Sequence, residues 1–330
     1  MALRPVRLEP LFVPRIWGSR NLAPLFPPKK SLAEPIGEVW LTGNECRFAN
    51  GPFAGQKLGD VWPQMNEDWA GKRARRERPF PVLVKFLFPE DKLSVQVHPD
   101  DDYAQRHEAA AGGTGKTEMW YVVSARPGAE VRVGIKPEVT KEAFRRAIAD
   151  GTAEELIERI PVAGGDAIFV PAGTVHTIGP GMVLCEVQQN SDLTYRVYDF
   201  NRRDALGKTR ELHVEKAFDV IRFGQPEGGK LLLSRDEYRA DGTTALIDCR
   251  YFGAAKETFS NAQYSVKRDG RLKIPVIIKG SGVVFEGGLD GERLAYDRGQ
   301  AWIIPAAARE CIFESKEQTT LLTVTIPDQA

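Results

Sequence analysis

Gln96 and His98 stand two apart in Lys92-Leu-Ser-Val-Gln-Val-His-Pro99, a run whose β-branched content reads as a strand. Side chains alternate along a strand, so the amide and the imidazole point one way and Val95 and Val97 the other. The next extended run, Lys116-Thr-Glu-Met-Trp-Tyr-Val-Val123, offers Glu118. A third, Gly165-Asp-Ala-Ile-Phe-Val-Pro-Ala-Gly-Thr-Val-His176, offers His176. One amide oxygen, one carboxylate and two imidazoles suit a divalent transition metal such as zinc, iron, nickel or copper. The chain has only four histidines, and two of them fall here. A lone strand histidine is ordinarily packed or solvated. Four potential ligands on three runs, each placed by alternation, point to a metal.

Charged groups follow the same pattern. Lys116 shares a face with Glu118, which sets a cation beside the ligands. Lys85 shares parity with Leu83 and Leu87 in the apolar run Pro81–Leu87. A lysine turned toward an apolar interior is costly without a partner, and an exposed edge position accounts for it equally well. Asp192 and Arg196 share a face if Asp192-Leu-Thr-Tyr-Arg196 is extended, and a surface salt bridge is the plain alternative to a chemical role. His107, in a polar helix, and His213, opening another, read as bystanders. Trp17, Trp40, Trp120 and Tyr121 read as interior packing, with Trp17 and Gly18 as candidates for a pocket mouth.

The elements that must position these groups are mostly strands. With 330 residues the chain exceeds one ordinary core, so two compact units are expected. The 31 glycines and 22 prolines separate short apolar runs, which suits a sandwich or barrel rather than a doubly wound sheet. Strands are expected at Gly37–Thr42, Pro81–Leu87, Met119–Val123, Glu130–Ile135, Ala167–Val170 and Met182–Val187. Helices are expected at Lys141–Ile148 after the cap Thr140, at Glu154–Arg159 after Thr152, and at Asp100–Arg106. The basic segment Glu67–Pro79 reads as a solvated helix or loop. Gly164–His176 lines up with Arg298–Glu310, an internal repeat whose second copy carries Glu310 near the place of His176. The Gly-rich segment Pro226–Lys230 reads as the linker between the copies.

Bulk properties exclude several classes. Net charge is zero, which argues against a nucleic-acid or acidic-membrane surface. No stretch approaches the roughly 20 apolar residues of a membrane span, and Met1–Arg7 lacks the features of a signal peptide. Cys46, Cys185, Cys249 and Cys311 form no Cys-x-x-Cys pair, so free thiols and a cytoplasmic location are expected. Gly112–Thr117 has the wrong spacing for a phosphate loop and leads into a strand, not a helix.

Gly165-x5-Pro171-x-Gly173-x2-His176 resembles the second motif of the cupin superfamily, in which the strand ends at Pro171, Gly173 permits a tight turn and His176 enters the next strand. The first motif departs from the usual cupin pattern, with Gln-x-His followed by a glutamate twenty residues later. That departure resembles the type I mannose-6-phosphate isomerases in their short bacterial form. Seven blocks in order carry the likeness over roughly residues 10 to 225: Pro14–Gly18, Gly37–Trp40, Ser94–Pro99, Gly115–Tyr121, Pro171–Thr177, Ser191–Asp199 and Arg210–His213. The long helical insertion of larger members is missing between Glu118 and His176.

The resemblance implies a mainly β fold of two double-stranded β-helix (cupin, jelly-roll) units with a few short helices. Residues 1–225 would be the metal-binding catalytic unit and 226–330 a degenerate second unit without metal. It implies one zinc on Gln96, His98, Glu118 and His176, catalysis involving Arg196, and a sugar-phosphate pocket lined by Lys85, Lys116 and Asp192. The implied reaction interconverts mannose 6-phosphate and fructose 6-phosphate through an enediolate, in a cytoplasmic monomer or weak homodimer that binds a hexose 6-phosphate and neither nucleic acid nor membrane. An iron-dependent cupin oxygenase and a non-catalytic sugar-phosphate-binding cupin are the competing readings.

Overall fold

The computed structural model describes residues 3–326 except 73, 204–206, 225–227, 232–241, 267 and 288–291. Its strands form antiparallel sheets of seven, five, six and four strands, the mainly β architecture that the Gly and Pro punctuation implies. Val82–Leu87 lies between Ile36–Trp40 and Met182–Gln189 in the seven-stranded sheet and is buried along its whole length. Such an unbroken apolar run suits a strand covered on both faces. Val82, Val84 and Phe86 join a core with Val276, Leu322 and Val324 of the six-stranded sheet. Leu87 faces the other way and packs with Val131 and Ile178 of the five-stranded sheet. A further core, with Ile277, Leu321, Val284 and Phe313, lies between the six- and four-stranded sheets. The layers therefore run five, seven, six, four.

Two elements tie this stack together across the sequence. Val6–Leu8 pairs with Ala301–Ile303, which makes the N-terminal strand a member of the six-stranded sheet. Gly229–Lys230 pairs with Phe169 and Ile168 at the edge of the seven-stranded sheet. Of the expected linker, Pro226 and Glu227 lie outside the described residues. The repeat shows in the backbone: Gly165 and Gly299, with φ of 98° and 83°, turn the chain just before Ala167–Val170 and Ala301–Ile303.

On the way to the site, Gly165–His176 breaks where Pro171 and Gly173 imply: Ala167–Val170 belongs to the seven-stranded sheet and His176–Ile178 to the five-stranded one, with Gly173 turning the chain at a φ of 85°. Two expectations change. Glu154–Arg159 is not a helix. A 3-10 turn at Ala153–Leu156 gives way to the strand Ile157–Pro161, because Ile157 pairs with Ile135 while Lys92 and Arg132 take the Glu154 carboxylate. Asp192 precedes the strand Tyr195–Tyr198 rather than lying in it, and no ion pair joins it to Arg196 among the described residues.

The helices follow their caps. Thr140 accepts from Ala143 N and starts Lys141–Asp150, and Asp100 does the same for Asp101–His107. The basic segment holds only a short helix, Glu67–Ala70. Phe144 and Ala217, on the helices Lys141–Asp150 and Val214–Val220, pack on Val95, Val97 and Tyr195 and close the outer face of the five-stranded sheet. All four cysteines are free.

Candidate active site

The site grows from two rows of residues that face each other across the sandwich. On the five-stranded sheet, register places Arg196, Gln96 and His176 side by side on three adjacent strands. On the seven-stranded sheet it places Trp40, Lys85, Glu186 and Trp120 in one row, with Glu118 opposite Gln188 in the next. Side chains on one face of neighbouring strands stand about 5 Å apart, so register alone assembles most of the cluster. His98 follows Val95–Val97 and completes it.

The ligand atoms of His98, Glu118 and His176 lie within 4.8 Å of one another, and all three residues are buried. His98 Nε2 is 3.3 Å and His176 Nε2 3.8 Å from the Glu118 carboxylate. Each ring is fixed from behind: Nδ1 of His98 meets Leu193 O at 2.8 Å, and Nδ1 of His176 meets Thr174 O at 2.9 Å. A backbone carbonyl on Nδ1 selects the tautomer whose Nε2 lone pair is free to bind a cation. Burial, reinforced by the Lys116 charge, holds His98 down at about 3, and burial likewise lowers His176. Neutral imidazoles are what a metal requires.

Burial pushes Glu118 up, but Lys116 and His98 outweigh it and keep the carboxyl well below its usual range. Its Oε1 receives no well-directed hydrogen bond even though Lys116 Nζ is 2.7 Å away. Gln96 brings its amide within 3.2 Å of His176 Nε2. The nitrogen is drawn on that side, and turning the amide over would present its oxygen instead. These donors fit a small divalent cation.

Gln96 also lines a cavity of about 510 Å³, large enough for a small sugar phosphate. Lys85, Lys116, Asp192 and Arg196 all line it. Lys85 is the buried lysine facing inward, and its partner is Glu186 at 2.7 Å. Burial lowers this ammonium, yet Glu186, Glu38 and Glu118 outweigh it, so Lys85 is held above its ordinary range as a cation. Arg196 donates from Nη1 to Glu211 O at 3.0 Å, while its buried Nε has no hydrogen-bond partner. Arg210, whose side chain is clamped by Asp199, stands on the same wall.

Sequence reasoning missed several members. Glu186 lies between Lys85 and Trp120, taking 2.9 Å from the indole N–H, and burial with the nearby Glu118 charge pushes its carboxyl up. Its alternation within Met182–Gln189 was the available signal. Glu38 is bound by Arg15 and Trp40 and held at about 2, because Lys85 and Arg15 overcome the effect of burial. His213, expected away from the site, lines the cavity, and its backbone N–H donates to Arg196 O at 2.7 Å. Trp17, a candidate for the pocket mouth, and Trp40 line the cavity, whereas Trp120 and Tyr121 are core residues and His107 stacks on Tyr103.

A family model described as the catalytic domain of type I phosphomannose isomerase matches residues 6–121. Mannose-6-phosphate isomerase ManA of Bacillus subtilis is 36% identical over 295 residues, 87% of this chain and 89% of its own. Mannose-6-phosphate isomerase of Streptococcus mutans is 35% identical over 318 residues, 93% of this chain and 95% of its own. The crystal structure of mannose 6-phosphate isomerase from Bacillus subtilis matches at a TM-score of 0.83 and 30% identity, over 98% of this chain and 99% of that one. A zinc-bound mannose 6-phosphate isomerase shares the fold at a TM-score of 0.73 and 16% identity, over 98% of this chain and 99% of that one. Alike over nearly its whole length to such relatives, this chain belongs to the type I mannose-6-phosphate isomerases.

Proposed function

We propose that the chain interconverts mannose 6-phosphate and fructose 6-phosphate, with one zinc held by His98, Glu118, His176 and the amide oxygen of Gln96. The observation that carries this reading is the buried His98–Glu118–His176 cluster in contact with Gln96 and Lys116, which line a cavity together with Lys85 and Arg196. When bound, the metal supplies Lewis acidity to substrate oxygens as negative charge develops on them.

The protein's own groups do the rest. Aldose–ketose exchange moves a proton between C1 and C2 through an enediolate, whose oxygens gain charge. Lys85, kept cationic by its carboxylates, and Arg196, with a free buried N–H, are fixed positive groups for that charge or for the phosphate. Asp192 stands exposed at the rim, where it can meet sugar hydroxyls. Glu186 and Lys116 are the buried groups placed to accept or return the proton. The oxygenase and sensor readings account less well for a cationic wall around a complete ligand set. Free thiols support a cytoplasmic enzyme. No helix of the described residues is long and apolar enough to cross a membrane.

The test is a coupled assay with mannose 6-phosphate on purified protein, repeated after chelation and after adding zinc back. Activity that vanishes with the chelator and returns with zinc is expected. Metal-loaded protein inert toward mannose, fructose and glucose 6-phosphates overturns the reading.

A further inference from the structure

A second cleft, sharing no lining residue with the isomerase cavity, gathers three arginines. Arg75 and Arg78 come from the loop ahead of Val82–Leu87. Arg250 comes from the turn between Gly242–Asp248 and Gly253–Phe259. Together with Tyr251, Thr114 and Gln189 they line about 180 Å³. Among the described residues none of the three arginines is in an ion pair. Three guanidinium groups lining one cleft without an ion-pair partner repel one another, and an anion between them relieves that repulsion.

The one carboxylate on the wall, Asp101, accepts at Oδ1 from Gly115 N at 2.9 Å and from Gln189 Nε2 at 3.0 Å, which braces the cleft. It keeps its charge, so three guanidinium groups face one carboxylate and the excess is positive. The same wall touches the machinery next door. Gln189 Oε1 accepts from Thr117 N at 2.9 Å, and Ser191 Oγ donates to Thr114 O at 2.7 Å. Those segments carry Lys116 and Asp192.

We propose that this cleft is a binding site for a small phosphomonoester, gripped between the catalytic half and the 226–330 half. A phosphomonoester carries close to two negative charges at neutral pH and three acceptor oxygens. Arginine forks match those oxygens in pairs, and three of them suit a dianion better than a single carboxylate. The volume takes a phosphoryl group with a short body and is too small for a nucleotide.

Inorganic phosphate and tungstate are the probes. Crystals of the full chain soaked in tungstate should show anomalous density between Arg78 and Arg250 as well as in the isomerase cavity. Equilibrium dialysis with labelled phosphate should count two sites per chain. The Arg78→Ser/Arg250→Ser variant should count one, lose the cleft density and keep its isomerase activity. Arg78→Lys/Arg250→Lys, which keeps the charge but not the fork, should bind phosphate at the cleft roughly tenfold more weakly. No density in the cleft when the isomerase cavity is filled, or the same count in the serine variant, overturns the proposal. Neither result depends on whether the chain isomerises mannose 6-phosphate.

Discussion

At the scale of single residues, the site works by setting charges against one another in a buried space. Lys116 and Glu118 lie 2.7 Å apart, and so do Lys85 and Glu186, so each cation answers a carboxylate. Unpaired burial of such groups is expensive, and cutting one partner leaves the other stranded. Arg196 differs, because its Nε is buried and still free. Arg196→Ala is therefore expected to lower kcat by roughly a hundredfold or more, as losing one preorganised charged donor does. Bound metal should stay at the wild-type level, since the His98–Glu118–His176 cluster makes no contact with that guanidinium among the described residues. Metal analysis beside steady-state kinetics checks both halves, and unchanged turnover at full metal content removes Arg196 from the mechanism.

At the scale of elements, the sheets hold their interiors differently. The five- and seven-stranded sheets enclose paired charges. The six-stranded sheet buries Glu257 on the strand Gly253–Phe259, where burial, only partly offset by Thr323 and Lys273, pushes the carboxyl up to about 7. Raised from 4.5, Glu257 makes the folded state bind more protons than the unfolded state between about pH 4.5 and 7. Its contribution to stability is full below that window and is lost as pH rises through 7. The shift corresponds to at most about 3 kcal/mol. Glu257→Gln should thus gain stability relative to wild type between pH 5 and pH 8. Melting temperatures of both proteins at the two pH values measure this, and a difference that does not change with pH disproves it.

At the scale of the whole molecule, the largest core does not belong to either half alone. Val82, Val84 and Phe86 of the seven-stranded sheet share it with Val276, Ala301, Leu322 and Val324 of the six-stranded sheet. Val6–Leu8 crosses over to pair with Ala301–Ile303. Large buried apolar faces lose their stabilisation when uncovered and then drive association. A chain ending at residue 225 should accordingly aggregate, and its soluble fraction should be far less active than the full chain. Light scattering and the coupled assay decide it. A monomeric, fully active fragment shows that the catalytic unit stands alone.

How much of this was legible beforehand depends on how local each cause is. Alternation along a strand is a property of the backbone, so the shared direction of Gln96 with His98 and of Lys116 with Glu118 could be read directly. Pro171 and Gly173 marked where the chain must turn before His176, and Thr140 and Asp100 announced their helices. The pairing of Lys85 with Glu186 could not be read, since antiparallel register between strands a hundred residues apart is settled by packing on both faces. The same holds for His213, drawn to the cavity by its bond to Arg196 O, and for Glu154, taken from its expected helix by Lys92 and Arg132. The sequence by itself determined a β fold and which candidate ligands and cations share a strand face. Tertiary structure alone decided which carboxylate neutralises which cation, because that follows from distances that only folding creates.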